Sequence, residues 1–322
     1  MITFIANSIR MSSAFLLGST GEIITEKSGH LNLGIPGIMC MGAIGGAAGA
    51  SIYVSSLSDL SQISAFPAFV IPLLFCLIFA GVMGLLYSFM TVSLRANQNI
   101  TGLALTTLGE GLATFLSNKL PKTGFTQVGA VYKTLFTGTE NLGAFGTLFL
   151  SYGTMVYFAI IIAIAAALIL RKTRTGLQLR AVGENPATAD ATGVNVAKYR
   201  YLATIIGAMI AGLGGLFYLF DMNSGSLPEI SSISALGWLS IAIVIFSIWK
   251  PDLCILSAII FGILYRLPYS PILVSVSGAT KELVKAAPYV VTAIVLIVTS
   301  IIGSKKAQPP AALGLNYFRE ER

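Results

Sequence analysis

The residues that could do chemistry in this chain are few, and the most deeply placed acid is Glu110. It lies in the apolar run 98–117, where Thr106 occupies the same helix face one turn earlier. An ionisable side chain at membrane depth is costly and usually faces the interior of a helix bundle or a water-filled path. Glu110 therefore either lines a transport path or is a structural carboxylate bonded to neighbouring threonine or backbone groups.

A second polar group lies in residues 21–39, GEIITEKSGHLNLGIPGIM, which hold two acids, a histidine and Asn32 among several glycines. Pro36 is expected to break or kink a helix at this point. Non-helical backbone survives at membrane depth only where protein buries it or where it lines a cavity, and broken helices often mark transport sites. The alternative is an ordinary cytoplasmic turn with a helix beginning after it.

The polar stretch 171–200 separates two apolar runs and carries six Lys/Arg against two acids. Its own residues predict a short helix, because Asn185 is a good N-cap, Pro186 suits the first helical position and Gly193 suits the position after the last turn. A helix of about two turns is too short to be stable alone in water. Either the rest of the chain or a partner must therefore hold it.

The sequence gives no support for enzymatic chemistry. It has no GxxxxGK[ST] phosphate-binding loop, no HExxH and no GxSxG motif. His30 is the single histidine, which excludes a two-histidine metal site and argues against a Ser-His-Asp triad. The three cysteines lie in apolar runs without metal-site spacing. We therefore predict no catalytic residue, no metal and no cofactor bound by this chain, and an intramembrane enzyme is the least favoured function.

The composition indicates an integral membrane protein. The 322 residues are 55% hydrophobic and 10% charged, with a mean hydropathy of +0.83, whereas about 25% charged residues are usual in soluble domains. The net charge of +7 is not a nucleic-acid signal, because the basic residues concentrate in a few loops and the tail, where they orient a membrane protein. We predict one all-α, polytopic domain over residues 1–322.

About 20 apolar residues cross a bilayer as a helix, and the sequence predicts about nine such spans. They lie at 3–20, 32–54, 66–92, 98–117, 144–170, 201–220, 234–249, 252–267 and 286–303. The first is interpreted as a span rather than a removed signal peptide, since it lacks a basic start and a clear cleavage site. Residues 268–285 are too charged to span and either re-enter the membrane or lie in its interface.

Charge and small residues predict orientation and packing. With residues 171–200 in the cytoplasm, the N-terminus is outside, the tail 304–322 is inside, and 13 of the 20 Lys/Arg are cytoplasmic. Small residues let helices approach closely in lipid. Rows of them predict a compact bundle: Gly42, Gly45, Gly46 and Gly49 in the second span, and Gly207, Ala211 and Gly215 in the sixth.

Four segments carry a resemblance to a known family. They are GEIITEKSGHLNLGIPG (21–37), ANQNITG (96–102), TGLQLRAVGENPATADATGVNV (175–196) and PAALG (310–314) followed by Tyr317. Together they resemble the permease subunits of bacterial ABC importers in the branched-chain amino acid, ribose and nucleoside group, and the tail is similar to the shorter of the paired permeases in nucleoside importers. Relatives commonly have Glu where this chain has Pro36.

The resemblance implies that the short helix is a coupling helix, which docks on a separate ATPase subunit that binds and hydrolyses ATP with Mg²⁺. The residues implied in coupling are Glu184, Asn185, Pro186, Ala187, Ala189, Asp190 and Gly193, with Asp190 and Glu184 pairing with basic residues of the ATPase. Further implied partners are a second homologous permease, a substrate-binding lipoprotein and membrane lipid. The outer acids Asp221 and Glu229 either receive the lipoprotein or belong to a solvated loop. The implied location is the bacterial cytoplasmic membrane.

The implied substrate is a nucleoside or a related purine, and riboflavin or a sugar is the alternative within the same architecture. A path with few charges suits an uncharged, ring-containing ligand. Its candidate lining residues are Asn32, Asn97, Gln98, Thr106 and Glu110, with Phe217 and Trp238 as aromatic faces for stacking. An ion-coupled secondary transporter would keep the bundle without an ATPase, but the spans lack the run of ionisable residues that an ion relay needs.

Overall fold

The computed structural model describes residues 2–133, 136, 142–270, 278–302 and 308–318, and the regular elements of these residues are all helical. The predicted all-α class is thereby confirmed. In chain order the helices are α1 Ile2–Glu26, α2 Ile35–Ser55, α3 Ala65–Ser88, α4 Gln98–Lys119, α5 Phe125–Lys133, α6 Gly143–Phe145, α7 Thr154–Lys172, α8 Arg174–Glu184, α9 Pro186–Ala191, α10 Val196–Phe217, α11 Ile230–Phe246, α12 Pro251–Arg266, α13 Gly278–Lys285 and α14 Ala287–Ile302. A π-helical turn extends α3, α6 and α10, at Phe89–Ser93, Gly146–Leu150 and Tyr218–Met222.

Six helices of the described residues are long and apolar enough to cross a membrane. They are α2, α3, α4, α7, α10 and α12, some with their terminal turns. The predicted spans 3–20 and 234–249 form α1 and α11, and 286–303 forms α14 except for its last residue, which lies outside the described residues. Nine spans therefore stay a prediction, although the described residues of the predicted regions are helical apart from residues 32–34, 151–153, 247–249 and 286.

Two predicted boundaries are wrong. The span 144–170 is interrupted at residues 151–153, because the Gly153 backbone lies so close to the Tyr132 carbonyl and the Asp221 carboxylate that a Cβ there would meet them within 2.1 Å. The stretch 171–200 is mostly helical rather than a loop: α8 and α9 fill its middle and α10 begins at its end.

The predicted re-entry or interfacial placement of residues 268–285 is described only in part. Residues 271–277 lie outside the described residues, and α13 forms the last turns of the stretch. An exposed ion pair joins Lys285 to Glu282 at 2.6 Å, one turn apart on α13.

The centre of the bundle is α10, which packs against α1, α2 and α3. The predicted rows of small residues form these contacts. A Cβ on Gly215 would lie 2.0 Å from the Met39 carbonyl oxygen of α2, and one on Gly42 would lie 2.4 Å from the Gly212 carbonyl oxygen. Such distances are shorter than real Cβ contacts, so only glycine permits this helix spacing.

The link 27–34 connects α1 to α2 through non-helical backbone that is mostly buried. Pro36 does not interrupt a helix as expected; it lies in the first turn of α2, where its missing N–H costs no helical hydrogen bond. Its ring packs on Gly237 of α11. Of the two interpretations, a helix beginning after a turn is confirmed, but the turn is enclosed by protein rather than exposed.

One end of the bundle, which we call the α9 face, gathers the link 27–34, α8, α9 and the C-terminal segment 308–318. The Gly183 carbonyl accepts a hydrogen bond from Ala312 N–H at 3.0 Å, which fixes the C-terminal segment there. Since α1 has 25 residues and ends at this face, its first residue lies about 37 Å away. Ile2 and the C-terminal segment 308–318 thus lie at opposite ends of α1, and the orientation of the termini across the membrane stays a prediction.

Replacing Gly215 by Ala should destabilise the bundle, because the added methyl group cannot fit beside the Met39 carbonyl. We expect a loss of about 1–3 kcal/mol in unfolding free energy, or no folded protein. The measurement is thermal unfolding of the detergent-solubilised chain.

Gly111→Ala is the matched control, since nothing lies within 4 Å of a Cβ at that position. Its melting temperature should stay at the wild-type value. Equal melting temperatures for the two variants would show that the close approach of α10 and α2 does not limit stability.

Candidate functional site

The short helix predicted from its own capping residues is present as α9. The Asn185 side chain accepts a hydrogen bond from Thr188 N–H at 3.0 Å, which satisfies one of the free amides of the first turn. Gly193 follows the helix with a φ of +86°, in the left-handed region that favours glycine. The predictions for both ends of the helix are therefore confirmed.

A small core holds α9, separate from the main core of the bundle. Ala189 is buried against Val182 of α8 and Val196 of α10, and Tyr199 and Tyr317 cover this core from the side. The chain therefore holds the helix without a partner. The opposite side of α9 stays uncovered, with three small exposed residues, Ala187, Thr188 and Ala191.

Both acids of this region are bonded to the C-terminal segment. The Glu184 carboxylate accepts from Ala311 N–H at 3.3 Å, and the Asp190 carboxylate accepts from the Tyr317 hydroxyl at 2.8 Å. Each acid thus has a partner inside the chain. Their predicted role, pairing with basic residues of another subunit, would compete with these bonds.

The C-terminal segment also reaches the other connections of the α9 face. Gly314 N–H donates to the Gly29 carbonyl of the link at 3.1 Å, and the Asn316 amide donates to the Arg95 carbonyl at 2.8 Å. The Arg95 guanidinium lies 4.8 Å from the centre of the Phe318 ring. The C-terminal segment is therefore bonded to α9, to the link between α1 and α2 and to the residues that follow α3.

Two predicted path residues, Gln98 and Thr106, fasten the link to α4. The Gln98 side-chain oxygen accepts from Leu31 N–H at 2.8 Å, and the Thr106 hydroxyl donates to the Leu33 carbonyl at 2.8 Å. Both side chains are buried. The structure therefore brings them together, at the link.

Asn32, the third of this group, is fully buried within the link. Its side-chain oxygen accepts from Gly34 N–H at 2.9 Å, and its own N–H donates to the Glu22 carboxylate at 3.1 Å. Glu26, one turn further along α1, accepts a hydrogen bond from the Trp249 indole. Buried carboxylates of α1 thus serve the link and the turn between α11 and α12.

Two further predicted path residues lie apart from this group. Asn97 is exposed and caps α4, accepting from Ile100 N–H at 3.1 Å. Phe217 is fully buried in the main core, between helices that pack tightly. Neither shares a surface with the other candidates in this conformation.

Glu110 and Trp238 lie on the same side of the bundle. The half-buried Glu110 carboxylate accepts a hydrogen bond from the Ser234 hydroxyl of α11. Trp238 is one turn further along α11, on the same helix face as Ser234, and is 37% exposed. These two candidates therefore border one partly uncovered surface between α4 and α11.

Burial lowers the pKa of the two basic residues of the link, His30 and Lys27. It lowers the pKa of His30 well below its usual range, and the nearby Arg200 guanidinium lowers it further, so the imidazole is neutral at pH 7. The His30 Nδ1 atom lies 3.1 Å from the Thr204 hydroxyl. Burial also lowers the pKa of Lys27, although the Glu184 carboxylate opposes that change.

Comparison with known proteins decides the family. Residues 4–300 match the family described as "Branched-chain amino acid transport system / permease component". The chain belongs to this permease family. It is accordingly a multi-pass membrane permease, a transport subunit rather than an enzyme, and the predicted resemblance is confirmed.

Three relatives of the permease are similar over most of their length. The nucleoside ABC transporter permease protein NupC of Lactococcus lactis is 31% identical over 98% of this chain and 97% of its own. The putative glucose ABC transporter permease protein TsgC13 of Haloferax volcanii is 31% identical over 80% of this chain and 74% of its own. The guanosine ABC transporter permease protein NupQ of Bacillus subtilis is 30% identical over 97% of this chain and 95% of its own.

The sequence does not predict a functional role for three residues of the permease's α9 face. From the sequence, Arg95 and Arg200 belong to the charges that orient the chain, and Tyr317 belongs to a tail motif. A signal for Arg200 was present, because it lies on the stripe of α10 that also carries Val196 and Gly207, at helical spacing. That stripe is buried, and Arg200 with it.

The end of the bundle opposite the α9 face requires one correction. Asp221 was predicted to face a lipoprotein, but it is buried, and Arg10 of α1 forms an ion pair with its carboxylate and donates to its carbonyl at 2.7 Å. The prediction that Asp221 forms a surface contact is therefore wrong. Glu229 is exposed at the start of α11.

Replacing Asn185 by Ala should loosen α9 within an otherwise intact permease, because the Thr188 amide loses its acceptor. Loss of an N-cap costs about 0.5–2 kcal/mol, so hydrogen exchange of the amides of residues 188–192 should quicken by about two- to thirtyfold.

Asn97→Ala removes the equivalent cap of α4 and serves as the control. It should quicken exchange at the start of α4 and leave α9 unchanged. Unaltered exchange in α9 after Asn185→Ala would mean that the side core, and not the cap, fixes the helix.

Proposed function

We propose that this permease is the transmembrane subunit of an ATP-binding cassette importer for a nucleoside or a related purine. The observation that carries the proposal is α9: a preformed short helix whose outer side bears only small residues and is covered by none of the residues that the structure describes. Near-full-length similarity to a nucleoside permease and a guanosine permease supports the substrate class.

The energy for transport comes from a separate subunit. The sequence has no phosphate-binding loop of its own, so ATP and Mg²⁺ are bound by an ATPase that docks on α9. The small side chains of Ala187, Thr188 and Ala191 allow close approach of a groove. The other predicted coupling residues form and anchor this helix and do not contact ATP. They are Glu184, Asn185, Pro186, Ala189, Asp190 and Gly193.

The bonded contacts of the α9 face supply the route of the motion. When the ATPase moves α9, the C-terminal segment follows through Tyr317 and Ala312. It displaces the link through Gly29, and the link is joined to α4 through Gln98 and Thr106. The helices that surround α10 are thereby reoriented together between outward-open and inward-open states.

A second permease covers the side of the bundle formed by α4 and α11. Glu110 is half-buried there, and a carboxylate facing lipid would be costly. A related subunit placed against this side would enclose a path lined by Glu110 and Trp238. Asn32, Gln98, Thr106 and Phe217 shape the helices around that path, and Asn97 caps one of them.

An uncharged purine nucleoside suits this surface. The Trp238 ring can stack on a base, and the Glu110 carboxylate can accept hydrogen bonds from ribose hydroxyls or a base amino group. A sugar lacks the aromatic ring, although similarity to a putative glucose permease keeps a sugar as the second candidate. Riboflavin has both an aromatic ring system and hydroxyl groups, and it is the third candidate.

The orientation follows from the position of the ATPase. With the α9 face in the cytoplasm, the C-terminal segment is inside and the N-terminus outside the cell, in agreement with the excess of basic residues on that face. The opposite end, with Glu229 exposed, receives the substrate from a binding lipoprotein.

Replacing Ala187 by Trp should abolish ATP-driven uptake, because a large side chain on the uncovered side of α9 blocks docking. We expect uptake below about a tenth of the wild-type rate and loss of the ATPase on co-purification, with an unchanged melting temperature. A tenfold loss corresponds to only about 1.4 kcal/mol of docking energy.

Arg174→Ala is the control for that variant, since Arg174 is exposed at the start of α8, whereas α9 follows the other end of that helix. It should transport normally. Wild-type uptake by Ala187→Trp would contradict the coupling role of α9, and uptake by the permease in liposomes without ATPase or ATP would favour an ion-coupled transporter instead.

The substrate class can be tested with the complete importer in proteoliposomes. Labelled guanosine should be taken up with saturation and should be displaced by unlabelled purine nucleosides, whereas glucose and riboflavin in tenfold excess should not compete. Displacement by glucose alone, or by riboflavin alone, would reassign the substrate without changing the architecture.

A further inference from the structure

A cavity of about 490 Å³ opens on the α9 face beside the C-terminal end of α9. The turn between α9 and α10 forms one wall, the π-helical turn after α3 forms another, and the C-terminal segment closes the third side. Its chemically informative lining residues are Thr91, Arg95, Asp190, Asn195, Arg200 and Tyr317.

Arg200 is the unusual member of this lining. Only 3% of it is exposed, yet its Nε and Nη2 atoms have no hydrogen-bond partner among the described residues. A guanidinium has five donors in a fixed fork, and a buried charge without a partner is costly. Thr204 and His30, which lie nearby, supply no negative charge, since burial keeps the His30 imidazole neutral.

The other charges at the cavity leave an excess of positive charge. Arg95 is exposed at the rim, and its guanidinium lies over the Phe318 ring. Among the described lining residues the one acid is Asp190, which accepts a hydrogen bond from the Tyr317 hydroxyl at 2.8 Å. These two guanidinium groups and one carboxylate carry an excess of one positive charge, which one further negative group would neutralise.

We propose that the ATPase subunit inserts an acidic side chain into this cavity, where its carboxylate binds Arg200 and is approached by Arg95. The inference rests on the proposed function, in which the ATPase docks on α9. Gly193, Val194 and Asn195 form both the end of the docking helix and a wall of the cavity, so a subunit seated on α9 covers the mouth.

The position of the cavity favours a carboxylate of the docked ATPase over a lipid phosphate, because residues 193–195 after the docking helix form part of its wall. Asp190 on the same wall reduces the excess to one positive charge, which one carboxylate neutralises. A carboxylate can accept two parallel hydrogen bonds from the fork of Arg200. This contact is the reverse of the one predicted from the sequence, in which acids of the permease pair with basic residues of the ATPase. Glu184 and Asp190 are bonded within the permease, and the ATPase supplies an acidic residue that pairs with Arg200.

This contact would add a second route for motion. Arg200 lies near the start of α10, the central helix of the bundle. A carboxylate held there connects the ATPase directly to α10, whereas α9 reaches the bundle through the C-terminal segment. The two contacts together constrain both the position and the rotation of the ATPase relative to α10.

The test measures ATPase binding to the complete permease assembly in lipid nanodiscs. Arg200→Gln should weaken the Kd by about thirtyfold or more, as expected when one member of a buried charge pair is removed. Arg95→Gln should weaken it several-fold with a reduced salt dependence, and Arg200→Lys should retain part of the affinity. Arg174→Gln, which removes an exposed charge of α8, should change the Kd less than about twofold.

Restoration of the pair identifies the partner residue. Arg200→Glu should abolish binding, and one Asp→Lys or Glu→Lys substitution among the ATPase acids should restore it. If Arg200→Gln fails to fold, the exposed Arg95→Gln variant, combined with the same ATPase substitutions, carries the test.

Each remaining outcome separates the inference from the proposed function. Wild-type affinity in both Arg200→Gln and Arg95→Gln, with binding still lost in Ala187→Trp, overturns the inference alone. Normal binding in Ala187→Trp overturns the docking role of α9 as well. A defect of Arg200→Gln that appears only with anionic phospholipid, and disappears in phosphatidylcholine alone, assigns the cavity to a lipid phosphate and also overturns the inference.

Discussion

The hydrogen-bonding requirement of the link between α1 and α2 shapes the rest of this structure. Its backbone leaves helical geometry while buried, and buried N–H and C=O groups need partners. Four parts of the chain provide them: Glu22 from α1, Tyr87 from α3, Gln98 and Thr106 from α4, and Gly314 from the C-terminal segment. A segment that contacts so many helices is well placed to make them move as a unit.

The requirement also explains why the polar residues of the spans lie where they do. In lipid, a buried amide or hydroxyl side chain can bond the main-chain groups that lack a helical hydrogen bond. Gln98 and Thr106 each bond a main-chain group of the link. Glu110 and Trp238, on the side where α4 meets α11, keep part of their surface away from the protein interior.

The sequence predicts well what depends on neighbouring residues. The caps of α9 are set by Asn185 and Gly193 within a few positions, and the close approach of α10 to α2 is set by glycines at regular spacing, so both were predictable. The interruption before α7, the docking of the C-terminal segment and the burial of Arg200 depend on contacts between residues that are far apart in the sequence. Side-chain type alone showed that Gln98 and Asn32 need polar partners, but it did not show whether those partners are ligand or backbone.

The separate core beneath α9 has a consequence for assembly. Because Ala189 is already seated against Val182 and Val196, the helix does not have to fold when another subunit arrives, and association avoids that loss of conformational entropy. A preorganised contact of this kind favours fast and repeatable association. A permease and an ATPase that are synthesised at different times would then associate without a folding step in α9.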